Sequence, residues 1–142
     1  RGVLDRLMSD PYFAKSGPKS LDRLDFSRTL AASGIDALAP ADGAATLAAF
    51  TARAVARARF PAPPTRWLVC GGGRRNPAIM DALRATLAAP IEGAESEGWD
   101  GDALEAQCFA FLAVRSLAGL PLSFPGTTGV PAPCLGGRVA RP

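Results

Sequence analysis

Apolar residues recur at helical spacing along much of the chain. A short apolar face near the N terminus ends before Pro11, and a second short helix is predicted over 21–30. Longer periodic runs predict helices over 43–59, 77–88 and 102–118. The last of these carries apolar residues on more than one side. It is therefore expected to be deeply packed.

Two short segments read as strands. The run Trp67-Leu68-Val69-Cys70 is continuously apolar, as is typical of a parallel strand covered on both faces. It predicts a strand over 66–70, parallel to its neighbours and buried on both faces, and a briefer strand is predicted over 89–92. Strands that alternate with helices indicate an α/β fold. Because two strands do not make a stable sheet, we expect an incomplete sheet under long covering helices, with Pro- and Gly-rich loop after residue 120.

Length and composition favour one folded domain. The chain has 142 residues, and 48% of them are hydrophobic, which suffices for a sizeable core and argues against disorder. No stretch approaches the ~18 uninterrupted apolar residues of a membrane span, so no membrane association is expected. The sequence opens on Arg1 without an initiator Met or a signal pattern. We expect a chain that has been cut at its front.

Charge and residue usage exclude several function classes. The 16 basic and 13 acidic residues are scattered, and the close cluster Arg53, Arg57 and Arg59 reads as a solvated helix face, so no nucleic-acid partner is expected. The chain contains no His, which excludes histidine metal sites and Ser-His or Cys-His nucleophile pairs within it. Its three cysteines are far apart and outside any C-x-x-C motif. Two of them are expected to act as small core residues. This usage predicts no metal site, no disulfide framework and a reducing compartment, the cytoplasm.

A glycine-rich turn is the strongest local signal. Gly71, Gly72 and Gly73 follow the predicted strand directly, and Asn76 is placed to cap the next helix, with Pro77 in its first turn. Glycines at a strand end let the backbone approach a ligand, and a helix start offers free N–H groups to an anion. The motif is neither a Walker A loop nor a G-x-G-x-x-G fingerprint. Two interpretations stay open, a nucleotide contact and a tight turn that needs positive φ.

Other polar groups also admit two interpretations. Arg74 and Arg75 lie near bound phosphates or are simply solvated. Asp102 and Glu105 match a capping box, in which Glu105 returns to the cap, and a carboxylate at such a helix start can also hold a sugar hydroxyl. The loop Pro18-Lys19-Ser20, with Arg23 close behind, is either a functional polar group or a turn that ties two helices together. Two tryptophans, at 67 and 99, are expected in the core or at its rim.

These segments together resemble the C-terminal part of the anhydro-N-acetylmuramic acid kinases. Seven pieces occur in family order across essentially the whole chain, and their order is more specific than any one piece. They are Asp10-Pro11-Tyr12-Phe13; Pro18-Lys19-Ser20 with Arg23 and Phe26; Ala45-Thr46-Leu47 with Phe50-Thr51-Ala52; Cys70-Gly71-Gly72-Gly73 with Asn76; Trp99-Asp100; Glu105-Ala106 with Phe109-Ala110; and Gly119-Leu120-Pro121 with Pro125, Thr128-Gly129 and Gly136-Gly137. The chain departs from the family at Leu21-Asp22-Arg23-Leu24, where Thr-Gly-Arg-Glu is frequent, and at Ser123-Phe124, where an Asn often precedes the Pro.

The resemblance implies a fold and an activity. It places residues 1–142 in the C-terminal RNase H-like lobe of the sugar kinase, heat-shock ATPase and actin superfamily. Such kinases use ATP and Mg²⁺ to open 1,6-anhydro-N-acetylmuramic acid with water and to phosphorylate it to N-acetylmuramic acid 6-phosphate, in peptidoglycan recycling. The resemblance also implies a homodimer of the intact enzyme.

The resemblance assigns roles to a few residues. It implies that Gly71, Gly72 and Gly73 line the adenosine side of the ATP cleft, with Asn76 capping the helix behind them, and that Glu105 binds the sugar. The family's catalytic Asp and its phosphate-binding glycine loop match positions upstream of Arg1, so this chain by itself is expected to be inactive. The alternative hypothesis is a non-catalytic sugar- or protein-binding remnant of the kinase fold.

Overall fold

The structure is a computed structural model that describes residues 2–140, apart from the side chain of Arg23. Helices dominate, and two short strands form a small sheet. The α-helices are α1 (Val3–Met8), α2 (Arg23–Ala32), α3 (Pro40–Ala56), α4 (Pro77–Thr86), α5 (Leu104–Leu117) and α6 (Pro125–Thr128), and the strands are β1 (Trp67–Val69) and β2 (Ile91–Gly93). Short 3₁₀ turns span Pro11–Ala14, Ile35–Ala37, Gly72–Arg75 and Ala94–Glu97. The predicted α/β class is confirmed.

The two strands are parallel, as predicted, and they are joined by α4. Trp67 pairs with Ile91 and Val69 with Gly93. The prediction that the first strand is buried on both faces is wrong for this chain, because all three of its residues are only half-buried. Within residues 2–140 the sheet has two strands, and α3 and α4 pack on it. Each strand therefore keeps one unpaired edge among the described residues.

The core lies where α3 and α4 pack together on the sheet. Ala52 of α3 and Met80 and Leu83 of α4 are buried, and Val69 of β1 and Ile91 of β2 pack against them. The inward position of Met80 and Leu83 confirms the apolar face predicted for this helix. Small residues on α3 let the two helix backbones approach closely, so dispersion contacts accumulate across a short interface.

The N-terminal segment is held by one buried leucine and a cluster of aromatic rings. Leu7 of α1 is completely buried. Phe50 of α3 stacks on Phe26 of α2 with ring centroids 5.2 Å apart, and it meets Phe13 edge-on at 5.8 Å. Such ring pairs add to the gain from apolar burial. They anchor α2 and the segment before it on α3.

Helix α5 differs most from expectation. It was predicted to be deeply packed, yet none of its residues is buried, and Phe109 and Leu117 are 64% and 71% exposed. The side chain of Arg115 donates to the carbonyl of Pro121 and that of Ser116 to Gly136, so α5 is tied chiefly to the C-terminal tail. No helix or strand of residues 2–140 covers its apolar face. The apolar residues on more than one side of α5 predicted deep packing, and within residues 2–140 that prediction is wrong.

Candidate functional site

The glycine turn follows β1 directly, and its three glycines are not equivalent. Gly71 has φ +71°, in the left-handed region that favours glycine, which confirms the interpretation as a tight turn with positive φ. Gly72 and Gly73 have no positive φ, and a Cβ built on either would meet no atom within 4 Å. Folding of residues 2–140 therefore accounts for the glycine at position 71. It does not account for the next two.

Asn76 caps α4 as predicted. Its side-chain oxygen accepts hydrogen bonds from the backbone N–H groups of Ala78 at 3.0 Å and Ile79 at 3.4 Å. Pro77 occupies the first position of the helix, where its missing N–H costs nothing. The first turn of α4 is thus fixed by local interactions. The glycine turn is held at its C-terminal end by this cap.

Removing the cap is expected to cost stability. Asn76→Ala leaves two backbone N–H groups without their acceptor, which lowers the free energy of unfolding by about 1 kcal/mol. Urea unfolding followed by circular dichroism measures the change. Asn76→Asp retains a capping oxygen and serves as the matched control. An unfolding midpoint of Asn76→Ala equal to that of the unchanged protein contradicts the assigned cap.

An apolar cleft borders the glycine turn. It has a volume of about 340 Å³ and lies among α3, β1, α4 and β2, with Cys70 and Gly73 on its rim. Its walls are Thr51, Val55, Trp67, Leu68, Val69, Ile79, Leu83, Leu87 and Ile91. Small-molecule sites are typically concave and mostly apolar, with a few polar groups at defined positions. The cleft and the adjoining glycine backbone offer this combination.

Arg74 is the centre of a polar cluster that the sequence did not reveal. Its side chain is only 8% exposed. Its Nε donates to Glu95 Oε1 at 2.7 Å, and its Nη1 donates to Asp102 Oδ1 at 2.6 Å and to the carbonyl of Gly71 at 3.0 Å. Arg75 also donates to Asp102. The interpretation of Arg74 as a solvated residue is wrong, because two carboxylates and a carbonyl hold its guanidinium.

Gly101 makes this arrangement possible. It is buried, and a Cβ at this position would come within 2.4 Å of Arg74 Nε and 2.8 Å of Glu95 Oε1. The carbonyl of Gly101 also accepts a hydrogen bond from the N–H of Gly71 at 2.9 Å. We call Gly71, Arg74, Glu95, Gly101 and Asp102 the Arg74 clamp. The clamp joins the glycine turn to the segment that leads into α5.

The clamp shifts the titration of its acids. The hydrogen bond from Arg74 lowers the pKa of Asp102. The backbone N–H of Glu95 itself and the side chain of Arg74 both donate to the Glu95 carboxylate and lower its pKa. Both carboxylates are therefore ionised and paired at neutral pH. Groups whose pKa falls on folding stabilise the fold above their unfolded-state pKa, and they lose that contribution as the pH drops through the folded value.

A pH dependence follows from these shifts. The stability difference between the unchanged protein and Arg74→Gln is expected to be constant near neutral pH. It should shrink below about pH 4, where carboxylates begin to take up protons. Urea unfolding midpoints between pH 7 and pH 3 measure it. Arg84→Gln, which removes an exposed pair with Asp81 on α4, is the control. A difference that grows on acidification contradicts the assigned clamp.

The predicted capping box at the start of α5 is wrong. The helix begins at Leu104, and Ala103 takes the cap position without a side-chain hydrogen bond. The carboxylate of Asp102 faces the two arginines. The backbone N–H of Asp102 donates to Asp100 Oδ1 at 2.9 Å. It therefore does not donate to the carboxylate of Glu105, as a capping box requires. Charge-assisted bonds to arginine are stronger than a bond to a backbone N–H, and they draw Asp102 away.

Glu105 lies exposed in the first turn of α5. With the capping box excluded, its side chain is not committed to a reciprocal bond with position 102. A carboxylate in this turn is favoured by the helix dipole. The hydrogen bond between Gly71 and Gly101 brings the segment before Glu105 next to the glycine turn. The structure therefore gathers the two predicted binding segments on adjoining loops.

The loop at Lys19 has a structural explanation. Lys19 Nζ donates to the carbonyls of Tyr12 at 2.8 Å and Lys15 at 3.0 Å, and it lies 4.4 Å from the centroid of the Tyr12 ring. The amine is thus occupied by backbone acceptors, as expected of a turn that ties two segments together. Ser20 is exposed. The side chain of Arg23 lies outside the described residues.

Several other predictions can be compared with the structure. Cys70 and Cys108 are exposed and Cys134 is half-buried, and all three are free thiols, so the expectation of two core cysteines is wrong. Trp67 is half-buried against Phe60, whereas Trp99 is 52% exposed. No group of three or more metal-ligating side chains occurs among residues 2–140. In the same part of the chain, no helix is both long and apolar enough to traverse a bilayer.

Comparison with known proteins assigns the family. The family model described as anhydro-N-acetylmuramic acid kinase matches residues 1–141. The chain is 67% identical over 139 residues to the anhydro-N-acetylmuramic acid kinase of Acidiphilium cryptum, which covers 98% of this chain and 38% of that protein. The kinase of Rhodospirillum rubrum is 59% identical over 137 residues, a match that covers 95% of this chain and 36% of that protein. The kinase of Caulobacter vibrioides is 55% identical over 139 residues, a match that covers 96% of this chain and 36% of that protein. The chain thus spans less than two-fifths of the length of these relatives. Matched along almost its whole length, it belongs to the anhydro-N-acetylmuramic acid kinase family.

Proposed function

We propose that residues 1–142 form the C-terminal part of the C-terminal lobe of an ATP-dependent sugar kinase. Water adds to the anomeric carbon of 1,6-anhydro-N-acetylmuramic acid and the bond from that carbon to O6 breaks. The released O6 accepts the γ-phosphoryl group of ATP. The products are N-acetylmuramic acid 6-phosphate and ADP, in the cytoplasmic recycling of peptidoglycan. The family match along residues 1–141 supports this proposal.

The observation that carries the nucleotide site is the glycine turn. Gly72 and Gly73 have open space where a side chain would stand, and no backbone strain requires glycine there. Glycine at such positions is explained when a ligand approaches the backbone closely. We infer that Gly71, Gly72 and Gly73 line the adenosine side of the ATP site beside the apolar cleft, and that Asn76 holds the helix behind them.

The proposed sugar contact is Glu105. It is exposed at the start of α5, and the structure removes the competing role as part of a capping box. A carboxylate accepts hydrogen bonds from sugar hydroxyls without a proton of its own. Its segment is tied to the glycine turn through Gly101 and Gly71. Sugar and nucleotide would then bind on adjoining parts of this lobe.

The proposal requires parts that the described residues do not supply. Among residues 2–140, Glu95 and Asp102 are paired with arginines, and no group of three or more His, Cys, Asp or Glu side chains is placed to hold a metal ion. We propose that the metal is held with the nucleotide by the N-terminal part of the kinase. The same part would complete the RNase H-like sheet at the open strand edges. The exposed face of α5 would be covered by it or by a second subunit of a homodimer.

A side chain at Gly72 tests the nucleotide site. In the full-length kinase, Gly72→Val is expected to raise the Kd for ATP at least about tenfold, or ~1.4 kcal/mol, because the branched side chain fills space meant for the ligand. Isothermal titration calorimetry measures the affinity. Gly126→Val is the matched control, since a Cβ there also meets no atom within 4 Å. Unchanged ATP affinity of Gly72→Val would refute the assigned site.

A further inference from the structure

The Arg74 clamp links the two proposed ligand segments through one side chain. Arg74 itself lies in the turn Gly72–Arg75. Nη1 of its guanidinium donates both to the carbonyl of Gly71 and to the carboxylate of Asp102, just ahead of α5. A third bond reaches Glu95, in the 3₁₀ turn after β2. One planar group thus fixes three chain segments relative to each other.

The geometry of the clamp demands an arginine. A guanidinium presents several N–H donors in a rigid fork, and here the donors of Nε and Nη1 serve three acceptors. A lysine ammonium carries its donors on one atom and cannot span the same acceptors from the same place. The buried Gly101 gives the guanidinium room to lie against the backbone. The carboxylates of Glu95 and Asp102 supply the opposite charge, and the missing side chain of Gly101 supplies the space for the guanidinium.

The clamp is not a site for phosphate. Arg74 and Arg75 are balanced by Glu95 and Asp102, which are themselves 54% and 48% exposed. A phosphate bound to Arg74 would have to displace a carboxylate at 2.6 or 2.7 Å from its guanidinium. Arg74 therefore acts through the positions of the chain segments that it holds. Because Glu95 and Asp102 are half-exposed, we expect their bonds to Arg74 to contribute only modestly to the free energy of unfolding.

We propose that Arg74 is a positioning residue that couples the nucleotide loop at Gly71–Gly73 to the sugar-binding start of α5 at Glu105. This inference rests on the function proposed above. When the clamp is intact, the loop and the start of α5 keep one relative position, and each ligand meets a prearranged partner segment. When it is broken, the backbone hydrogen bond from Gly71 to Gly101 is the remaining described link between the two segments, and their relative position is held less firmly. Loss of Arg74 therefore weakens both ligands, whereas changes within one binding segment weaken only one.

Steady-state kinetics of the full-length kinase test this coupling. Arg74→Gln is expected to raise the KM for ATP and the KM for the anhydro sugar, each by about tenfold. Gly72→Val should raise only the KM for ATP and Glu105→Gln should act only on the sugar. Arg84→Gln removes an exposed ion pair with Asp81 on α4, outside the clamp, and is expected to change neither KM. A variant that merely folds less well lowers the amount of active enzyme and leaves both KM values unchanged.

A second pair of variants separates geometry from charge. Gly101→Ala keeps every charge but displaces the guanidinium, and it should reproduce both increases in KM. Combining it with Arg74→Gln should add little, because both changes break the same clamp. Arg74→Lys should restore neither KM. The inference is overturned if Arg74→Gln leaves either KM unchanged, or if lysine restores both. If the full-length protein without any substitution does not turn over the anhydro sugar, that result contradicts the proposed function itself.

Discussion

The 142-residue chain is expected to produce no N-acetylmuramic acid 6-phosphate from ATP and the anhydro sugar. Turnover requires a base that activates water at the anomeric carbon and a cradle that orients the γ-phosphate. The proposed function assigns Glu105 to the sugar, and residues 2–140 place no second lobe opposite it. Holding the reactants together accounts for ~7–11 kcal/mol of barrier lowering, and this contribution is lost without the second lobe.

The measurement compares the chain with the full-length kinase. Coupled ADP release in the presence of the anhydro sugar gives both rates at equal molar concentration. Adding back the separately expressed N-terminal part is the control, since recovery would show that the chain is folded and competent. Turnover by the chain alone within about tenfold of the full-length rate would show that the active site has been misplaced. A full-length protein that binds the sugar without turnover would instead favour the non-catalytic alternative.

Glu105→Gln in the full-length kinase is expected to lower kcat/KM for the sugar more than about tenfold, or ~1.4 kcal/mol. The amide keeps the shape of the side chain but gives up one acceptor oxygen and the charge that bind sugar hydroxyls. Because Glu105 is exposed and does not form a capping box, the unfolding temperature should fall no further than it does for the same loss of charge in the first turn of another helix.

A first-turn carboxylate on another helix provides the control. Asp42→Asn in α3 changes the same chemistry at an exposed position away from the glycine turn, and its kcat/KM is expected to equal that of the unchanged enzyme. Kinetics with varied sugar at saturating ATP, together with thermal unfolding, measure both effects. If Glu105→Gln retains full kcat/KM, Glu105 is not the sugar contact. If it lowers the unfolding temperature more than Asp42→Asn does and leaves kcat/KM intact, its role is structural.

The sequence by itself determined those features whose causes are local. Helical spacing of apolar residues predicted α3 and α4, the apolar run at Trp67 predicted β1, and Asn76 followed by Pro77 predicted the cap. Each depends on residues within a few positions of one another, so neighbours along the chain carry the information. The family resemblance likewise needed only the order of motifs, and the comparison confirmed it.

Only the tertiary structure decided the roles of the charged residues around the glycine turn. Arg74 and Asp102 are 28 positions apart, and the local pattern favoured a solvated arginine and a capping aspartate. Folding brings them to 2.6 Å, where a charge-assisted bond outweighs the local alternative. The exposure of α5 has the same origin. Its apolar residues predicted burial, but burial depends on which other segments reach the helix, and spacing within one helix does not specify them.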